Sequence, residues 1–397
     1  MRWLFFTPLV FLFYAIICFY IGKRLFILVK YFLPGMKPLV YWLVFSLLCC
    51  LLVFSNFLRH NLYFLRQAGL IWMVVLMYML LLLVLSDFSR LVLFLFGKQF
   101  RNFQIYSTGA AVLLCAILIV FGVFQARFVK TVNYTLTLPS PPSGSFQSSD
   151  NGIRIALVSD LHIGRTIGEK WIEKIVDVIN KAEPDIVCLA GDIFDGNISG
   201  IKDLPGVVSQ LKRINASLGV YACLGNHDID RMSFTGAGTE RVEAILKQAG
   251  IILLQDDVYT IREGLFIAGR KDARPIGMKA DRKTAEELLA GLNGVIIVLD
   301  HQPTQFPQLE LAGADLVLSG HTHKGQVFPG NLITRSMFKR LGATHYGYWQ
   351  GETVSETRMQ GVVTSGSAYW GPPVRVGTNS EVAVIDLEFM GITLTTD

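Results

Sequence analysis

The pattern of apolar and polar positions along this 397-residue chain changes character near residue 130. Before that point, four uncharged stretches occur at residues 3–22, 38–58, 67–86 and 102–126. Each is near or above the roughly 20 apolar residues that a helix needs to cross a bilayer. Lys or Arg stands at or near both ends of each stretch, and Asp87 follows the third. Four such runs with almost no acids between them predict membrane helices rather than buried helices of a soluble core. The first has too long an apolar region for a signal peptide and no small-x-small cleavage pattern before Lys23, so it is expected to remain as an anchor. The run 91–97 fits either an interfacial segment or a helix extension.

Beyond residue 130 the period shortens. Residues 131–138 (TVNYTLTL) alternate as a strand does, and 139–150 (PSPPSGSFQSSD) read as a loop or linker. Short β-branched apolar runs follow at 153–158, 186–190, 220–224, 265–268, 295–299 and 316–318. Helical candidates lie between several of them, at 169–181, 207–214, 239–248 and 284–289. The last opens on Thr284-x-x-Glu287, a capping-box pattern. This alternation predicts an α/β domain over 131–397 whose sheet is largely buried on both faces. A membrane domain of about four transmembrane helices is expected over 1–130.

Charge follows the same division. Residues 1–130 hold twelve Lys or Arg and one acid, a balance of +11, so the remainder carries −6 of the chain's net +5. Basic character confined to the apolar half points to flanks facing anionic membrane lipid, with no nucleic-acid footprint indicated. Residues 23–37 and 87–101 carry seven Lys or Arg, against five in the other flanks. That excess leans toward a cytoplasmic position for those two loops and an extracytoplasmic one for the α/β domain. The six cysteines show no Cys-x-x-Cys spacing and read as small buried hydrophobes.

Five of the seven histidines fall in four motifs: Asp160-Leu161-His162, Gly225-Asn226-His227-Asp228, Asp300-His301 and Gly320-His321-Thr322-His323. Gly191-Asp192 belongs with them. Asp160, Asp192, Asn226, His301 and His321 each follow an apolar run, and side chains just past the carboxyl ends of strands converge on one edge of a sheet. Asp, Asn and His in these numbers suit two divalent ions of the Mn, Fe or Zn type. Two such ions activate a water near neutral pH for attack on phosphorus. Asp192 suits a bridging position, a histidine free of metal would protonate the leaving oxygen, and Asp228 would orient His227.

These residues resemble a known family. SDLHIG (159–164), GDIFDG (191–196), GNHD (225–228), DHQP (300–303) and GHTHKGQ (320–326) look like the five motifs of the calcineurin-like metallophosphoesterases. WGPPVRVGTNSE (370–381) resembles a membrane-anchored bacterial branch. The resemblance implies a four-layer α/β/β/α sandwich, with one metal held by Asp160, His162, Asp192 and His323. It implies a second held by Asp192, Asn226, His301 and His321, with His227, paired with Asp228, as acid or transition-state stabiliser. Lys324 stands where many relatives have Gly.

The expected function is a membrane-anchored, binuclear metal-dependent phosphoesterase cleaving a phosphoester or pyrophosphate bond by a metal-activated hydroxide. Anchorage makes a lipid-linked phosphorylated substrate attractive. The alternative is a metal-binding sensor or scaffold that does not turn over, and the intact His227-Asp228 pair speaks against it. A transporter is disfavoured because the four stretches hold no charge. Arg165, Asn197, Arg270, Asp272 and Arg375 are weaker substrate contacts, more often structural charges. Tyr369 and Trp370 either wall the site or pack, His345 lies near the mouth or at the surface, and His60 flanks the membrane.

Overall fold

The computed structural model describes residues 2–57, 63–140, 152–196, 198–228, 237–273, 281–351 and 358–390. His60, Asn197 and residues 141–150 of the linker lie outside the described residues.

Four helices open the chain: α1 (Arg2–Phe32), α2 (Pro38–Phe57), α3 (Tyr63–Leu95) and α4 (Phe103–Gln125). Three stretches, Pro8–Phe32, Phe64–Leu95 and Phe103–Gln125, are long and apolar enough to cross a membrane. In α2 the shorter stretch Pro38–Leu51 is apolar. Large side chains such as Phe13, Leu39 and Val120 point outward, which suits lipid rather than water as solvent.

α1 and α3 run well past the ends expected from charge. Residues 91–95 extend α3. Arg24 does not end α1. It is buried, forms an ion pair with Asp87 of α3, and donates to Thr108 Oγ1 of α4 at 3.2 Å. Tyr20 Oη donates to Asp87 Oδ2 at 2.6 Å. A charge met by an opposite charge and hydroxyls can be carried inside a helix bundle. The helices thus extend beyond the uncharged stretches to include Arg24 and Asp87, and one ionic cluster ties α1, α3 and α4 together.

A separate unit begins at Gln125. Its first sheet has the order β1-β12-β2-β3-β4-β5. These strands are β1 (Val129–Pro139), β2 (Ile153–Val158), β3 (Ile186–Ala190), β4 (Val220–Cys223), β5 (Ile252–Leu253) and β12 (Ser380–Met390). The second sheet has the order β10-β11-β9-β8-β7-β6. It contains β6 (Asp257–Arg262), β7 (Leu265–Gly269), β8 (Val295–Leu299), β9 (Leu316–Ser319), β10 (Gly347–Gln350) and β11 (Gln360–Val363). Both sheets mix parallel and antiparallel pairs.

The layers follow from the two faces of each strand. On β2, Ile155 and Leu157 pack into the core between the sheets, with Cys188, Ile267 and Ile297. Ala156 and Val158 face the other way, onto α5 (Glu169–Lys181), α6 (Leu204–Lys212) and α7 (Ala237–Gln248). The second sheet is covered by α8 (Ala285–Leu289) and α9 (Phe306–Leu311) through Val298, Val317, Leu288 and Leu309. Burial on both faces explains why these strands read as continuous apolar runs. The arrangement is the expected α/β/β/α sandwich. The capping box at Thr284 and Glu287 forms as its spacing predicts.

The elements absent from the sequence reading are β5, β6, β10, β11, β12, α9 and α10 (Gly330–Arg340). β6 and β10 are edge strands, β6 with four of six residues exposed and β10 with alternate residues exposed, and Glu381, Asp386 and Glu388 interrupt the apolar run of β12. Such segments lack the unbroken pattern of a central strand.

Candidate active site

The loops leaving β2, β3 and β4 of one sheet meet the loops leaving β8 and β9 of the other. Backbone hydrogen bonds lock them in register. Asp160 N donates to Gly191 O and His162 N to Asp192 O, each at 3.0 Å. Five of the seven predicted ligands, Asp160, His162, Asp192, His321 and His323, have φ between 45° and 71°. L-residues there are strained, and such strain gathers where a side chain must be aimed. Glycine makes the close approach possible. A Cβ on Gly225 would lie 2.2 Å from Asp192 Oδ1, and one on Gly191 would lie 2.6 Å from His301 Nδ1.

Each carboxylate has one oxygen fixed and one directed inward. Asp160 Oδ2 accepts from Ser159 Oγ at 2.8 Å and His321 N at 3.0 Å. Its Oδ1 lies 3.4 Å from His323 Nε2 and 3.9 Å from His162 Nε2. Asp192 Oδ1 accepts from His227 N at 2.7 Å. Its Oδ2 stands 3.9 Å from His162 Nε2 and 3.2 Å from His301 Nε2. Asp160, His162 and His323 thus form one compact group, and Asp192, His301 and His321 another. Asp192 reaches both.

The donor set suits divalent cations. Asp160 Oδ1, Asn226 Oδ1 and His301 Nε2 are buried without a hydrogen-bond partner, as is His162 Nδ1. Buried polar atoms are seldom left so. His301 Nδ1 lies 2.8 Å from Ala190 O, which accepts its proton and leaves the Nε2 lone pair facing a carboxylate oxygen. Two acceptors at 3.2 Å require a cation between them. A proton meets that need, and so would a metal.

Burial lowers the pKa of His162 to about 4 and of His321 to about 3. It holds His323 well below the usual range, helped by His162 and the nearby Arg375 guanidinium. All three imidazoles are neutral, the form that binds metal. Burial raises Asp160 to about 6. It also opposes charge on His301, but Asp192 and Asp160 outweigh it and raise that imidazole.

The structure corrects the pairing of His227 with Asp228. Asp228 is buried, and its oxygens accept from the backbone N–H groups of Ile193, Phe194 and Gly225 at 3.1, 2.6 and 2.8 Å. The carboxylate 3.3 Å from His227 Nδ1 belongs to Asp195. Asp195 belongs to the GDIFDG motif, yet only the fold brings it to the ring. Adjacent residues in a turn point apart, so neighbourhood in sequence misled.

Other residues sort clearly. Trp370 stands over His227 with ring centroids 5.4 Å apart, while Tyr369 packs on Trp171. Arg270 is buried against Asp300 at 2.8 Å, and Asp272 accepts from Gln302 Nε2, so both brace the loop of His301. Arg375 is buried too. It donates to the backbone oxygens of Ser365 and Asn379 and holds Nη2 3.3 Å from His323 Nδ1. Arg165 packs on Gly200. His345 lines a separate cavity of about 680 Å³ behind the His321–His323 loop, with Arg335, Lys339 and Trp349. Thr322 Oγ1 donates to the His345 carbonyl at 2.5 Å.

Fold, loops and donor groups fit a metal-dependent hydrolase acting on phosphate esters. Residues 153–325 match the calcineurin-like phosphoesterase family, and the chain carries a metallophosphoesterase domain of that family. An uncharacterized metallophosphoesterase of Campylobacter jejuni is 28% identical over 306 residues, covering 76% of each chain. A Danio rerio transmembrane protein with a metallophosphoesterase domain is 31% identical over 294 residues, covering 71% of this chain and 62% of that one. An uncharacterized metallophosphoesterase of Aquifex aeolicus is 28% identical over 287 residues, 70% of this chain and 99% of its own. The alignment thus spans about three fifths of the zebrafish protein.

Proposed function

We propose that this protein is a membrane-anchored phosphoesterase working with two divalent ions. Asp160, His162, Asp192 and His323 would hold one, and Asp192, Asn226, His301 and His321 the other. The observation that carries the reading is the position of Asp192 Oδ2 between His162 and His301. Bound there, ions such as Mn, Fe or Zn would supply Lewis acidity toward a phosphoryl oxygen and a nucleophile at neutral pH.

The chain's own residues supply the rest. Asp160 and Asp192 are aimed by backbone N–H groups before any ligand arrives, so little reorganisation is needed. His227, part-exposed beneath Trp370 and facing Asp195, would protonate a leaving oxygen. The apolar helices α1, α3 and α4 support a phosphate carried on a lipid as substrate. The excess of Lys and Arg in 23–37 and 87–101 supports an extracytoplasmic site.

The test is chelation of the purified full chain, followed by readdition of Mn, Fe or Zn. Loss and return of phosphoesterase activity is expected. In His227→Ala, metal should stay bound while turnover falls by about 10²–10⁴-fold on poor leaving groups and less on nitrophenyl esters. Activity indifferent to chelation would overturn the reading.

A further inference from the structure

Helix α10 follows the His321–His323 loop directly, and its backbone is held close to Gly325: a Cβ on Gly330 would meet Gly325 O at 2.6 Å. Phe338 is its buried anchor. The opposite side is unusual for a domain in water. Positions 332, 333, 336, 337, 340 and 341 share one side of a helix by the i, i+1, i+4, i+5 rule. Four of them are exposed and apolar: Leu332 at 54%, Ile333 at 70%, Met337 at 50% and Leu341 at 44%. Phe328, just before the helix, is also exposed. Among the described residues of 126–390, these five are half of the ten exposed large apolar side chains.

Charge marks the same place. Residues 131–397 carry a net −6, yet 324–350 contain Lys324, Arg335, Lys339 and Arg340 and no Asp or Glu. Arg335 and Lys339 border the apolar stripe, and Arg340 lies within it. An apolar stripe rimmed by cations, isolated on an acidic domain, is the composition of a helix lying in a membrane interface. An aqueous protein partner for this domain would not require that local reversal of sign, and anionic headgroups would. The same chain carries helices apolar enough to cross a bilayer, so a lipid surface is always at hand.

We propose that the outward face of α10 docks on an anionic bilayer surface. Leu332, Ile333 and Met337 enter the boundary of headgroups and acyl chains, and Arg335, Lys339 and Arg340 meet headgroup phosphates. This surface is apart from the ligand cluster, and docking does not depend on turnover there. Its consequence is positional: only six residues, Lys324 to Pro329, separate His323 from the first residue of α10, so lipid contact is relayed to the site over a short connection.

The experiment uses Ile333→Trp in the full chain, reconstituted in nanodiscs, with the emission of the parent's six Trp subtracted. Discs are made of phosphatidylcholine alone or with phosphatidylglycerol, each with plain or brominated acyl chains. Docking predicts that the added emission is blue-shifted in phosphatidylglycerol discs and mostly lost when the chains are brominated. Adding Arg335→Gln, Lys339→Gln and Arg340→Gln should restore emission toward the level in neutral discs. All are exposed positions, and an unchanged unfolding midpoint verifies the fold. Equal emission in plain and brominated phosphatidylglycerol discs would overturn the proposal, including the case where a second copy or another protein covers α10. Full quenching that survives the triple substitution would overturn the role of the cations.

Discussion

His227 Nδ1 lies 3.3 Å from Asp195 Oδ1, while the carboxylate of its sequence neighbour Asp228 is turned to the backbone N–H groups of Ile193, Phe194 and Gly225. The two acids therefore do different work. Asp195→Asn should keep its metal and its thermal midpoint. It should lose about 10-fold in turnover on alkyl phosphates and less on nitrophenyl phosphates, because only the imidazole's orientation and charge suffer. Asp228→Ala should instead destabilise the protein, because three buried N–H groups lose their acceptor at roughly 1–3 kcal/mol each. Melting curves and metal content measured beside turnover separate the two. Equal melting of both variants would remove the distinction.

Asp192 Oδ2 stands between the two candidate ligand groups, 3.9 Å from His162 Nε2 and 3.2 Å from His301 Nε2. Asp192→Asn should lower bound metal more than any other single ligand change, because it weakens both positions. Metal per chain, determined by elemental analysis after dialysis, checks this. Two ions retained in that variant would show that the carboxylate does not bridge.

Gly225 leaves no room for a side chain. A methyl there would sit 2.2 Å from Asp192 Oδ1 and 2.4 Å from Asp192 N. Gly225→Ala should displace the carboxylate, cost about 1–3 kcal/mol of stability, and reduce metal binding together with activity. Wild-type metal affinity in this variant would mean that the two loops separate freely.

Asp315 offers a pH test away from the ligands. Burial raises its pKa to about 6, although it accepts from Ile296 N at 2.8 Å. The unfolded value is about 3.9. Between those values the folded state holds a proton that the unfolded state lacks, so this group's contribution falls as pH rises from about 4 to about 6. In Asp315→Asn that slope should be missing. The variant should therefore gain stability relative to the parent on going from pH 4 to pH 7, by on the order of 1–2 kcal/mol. Thermal scans of both proteins across this range read the difference. A constant difference would mean that Asp315 titrates normally.

The charge bias of the membrane flanks makes a prediction in cells. Protease added to intact cells should cut within residues 139–150. Cleavage only after the membrane is opened would place the catalytic domain in the cytoplasm and move the substrate search there.

The sequence alone determined the change from long apolar helices to an α/β pattern, the central strands and which Asp, Asn and His side chains follow them. Each rests on information local to a few residues. An apolar run buried on both faces shows as an unbroken run, as at 186–190 and 295–299. A side chain just past such a run is carried to the sheet edge by the strand itself, as Asp192 and His301 are. The tertiary structure alone decided what depends on segments far apart in the chain. Arg24 could stay inside α1 only because Asp87, 63 residues away, meets it there. Asp195 could replace Asp228 as the partner of His227 only because the β3 and β4 loops cross. Edge strands such as β6 and β10, half exposed, and helix α10, held by Phe338 alone among its buried residues, carry too little apolar periodicity to be read in isolation. Their conformation is stabilised by the sheet and loops they join, and that energy is not written in their own residues.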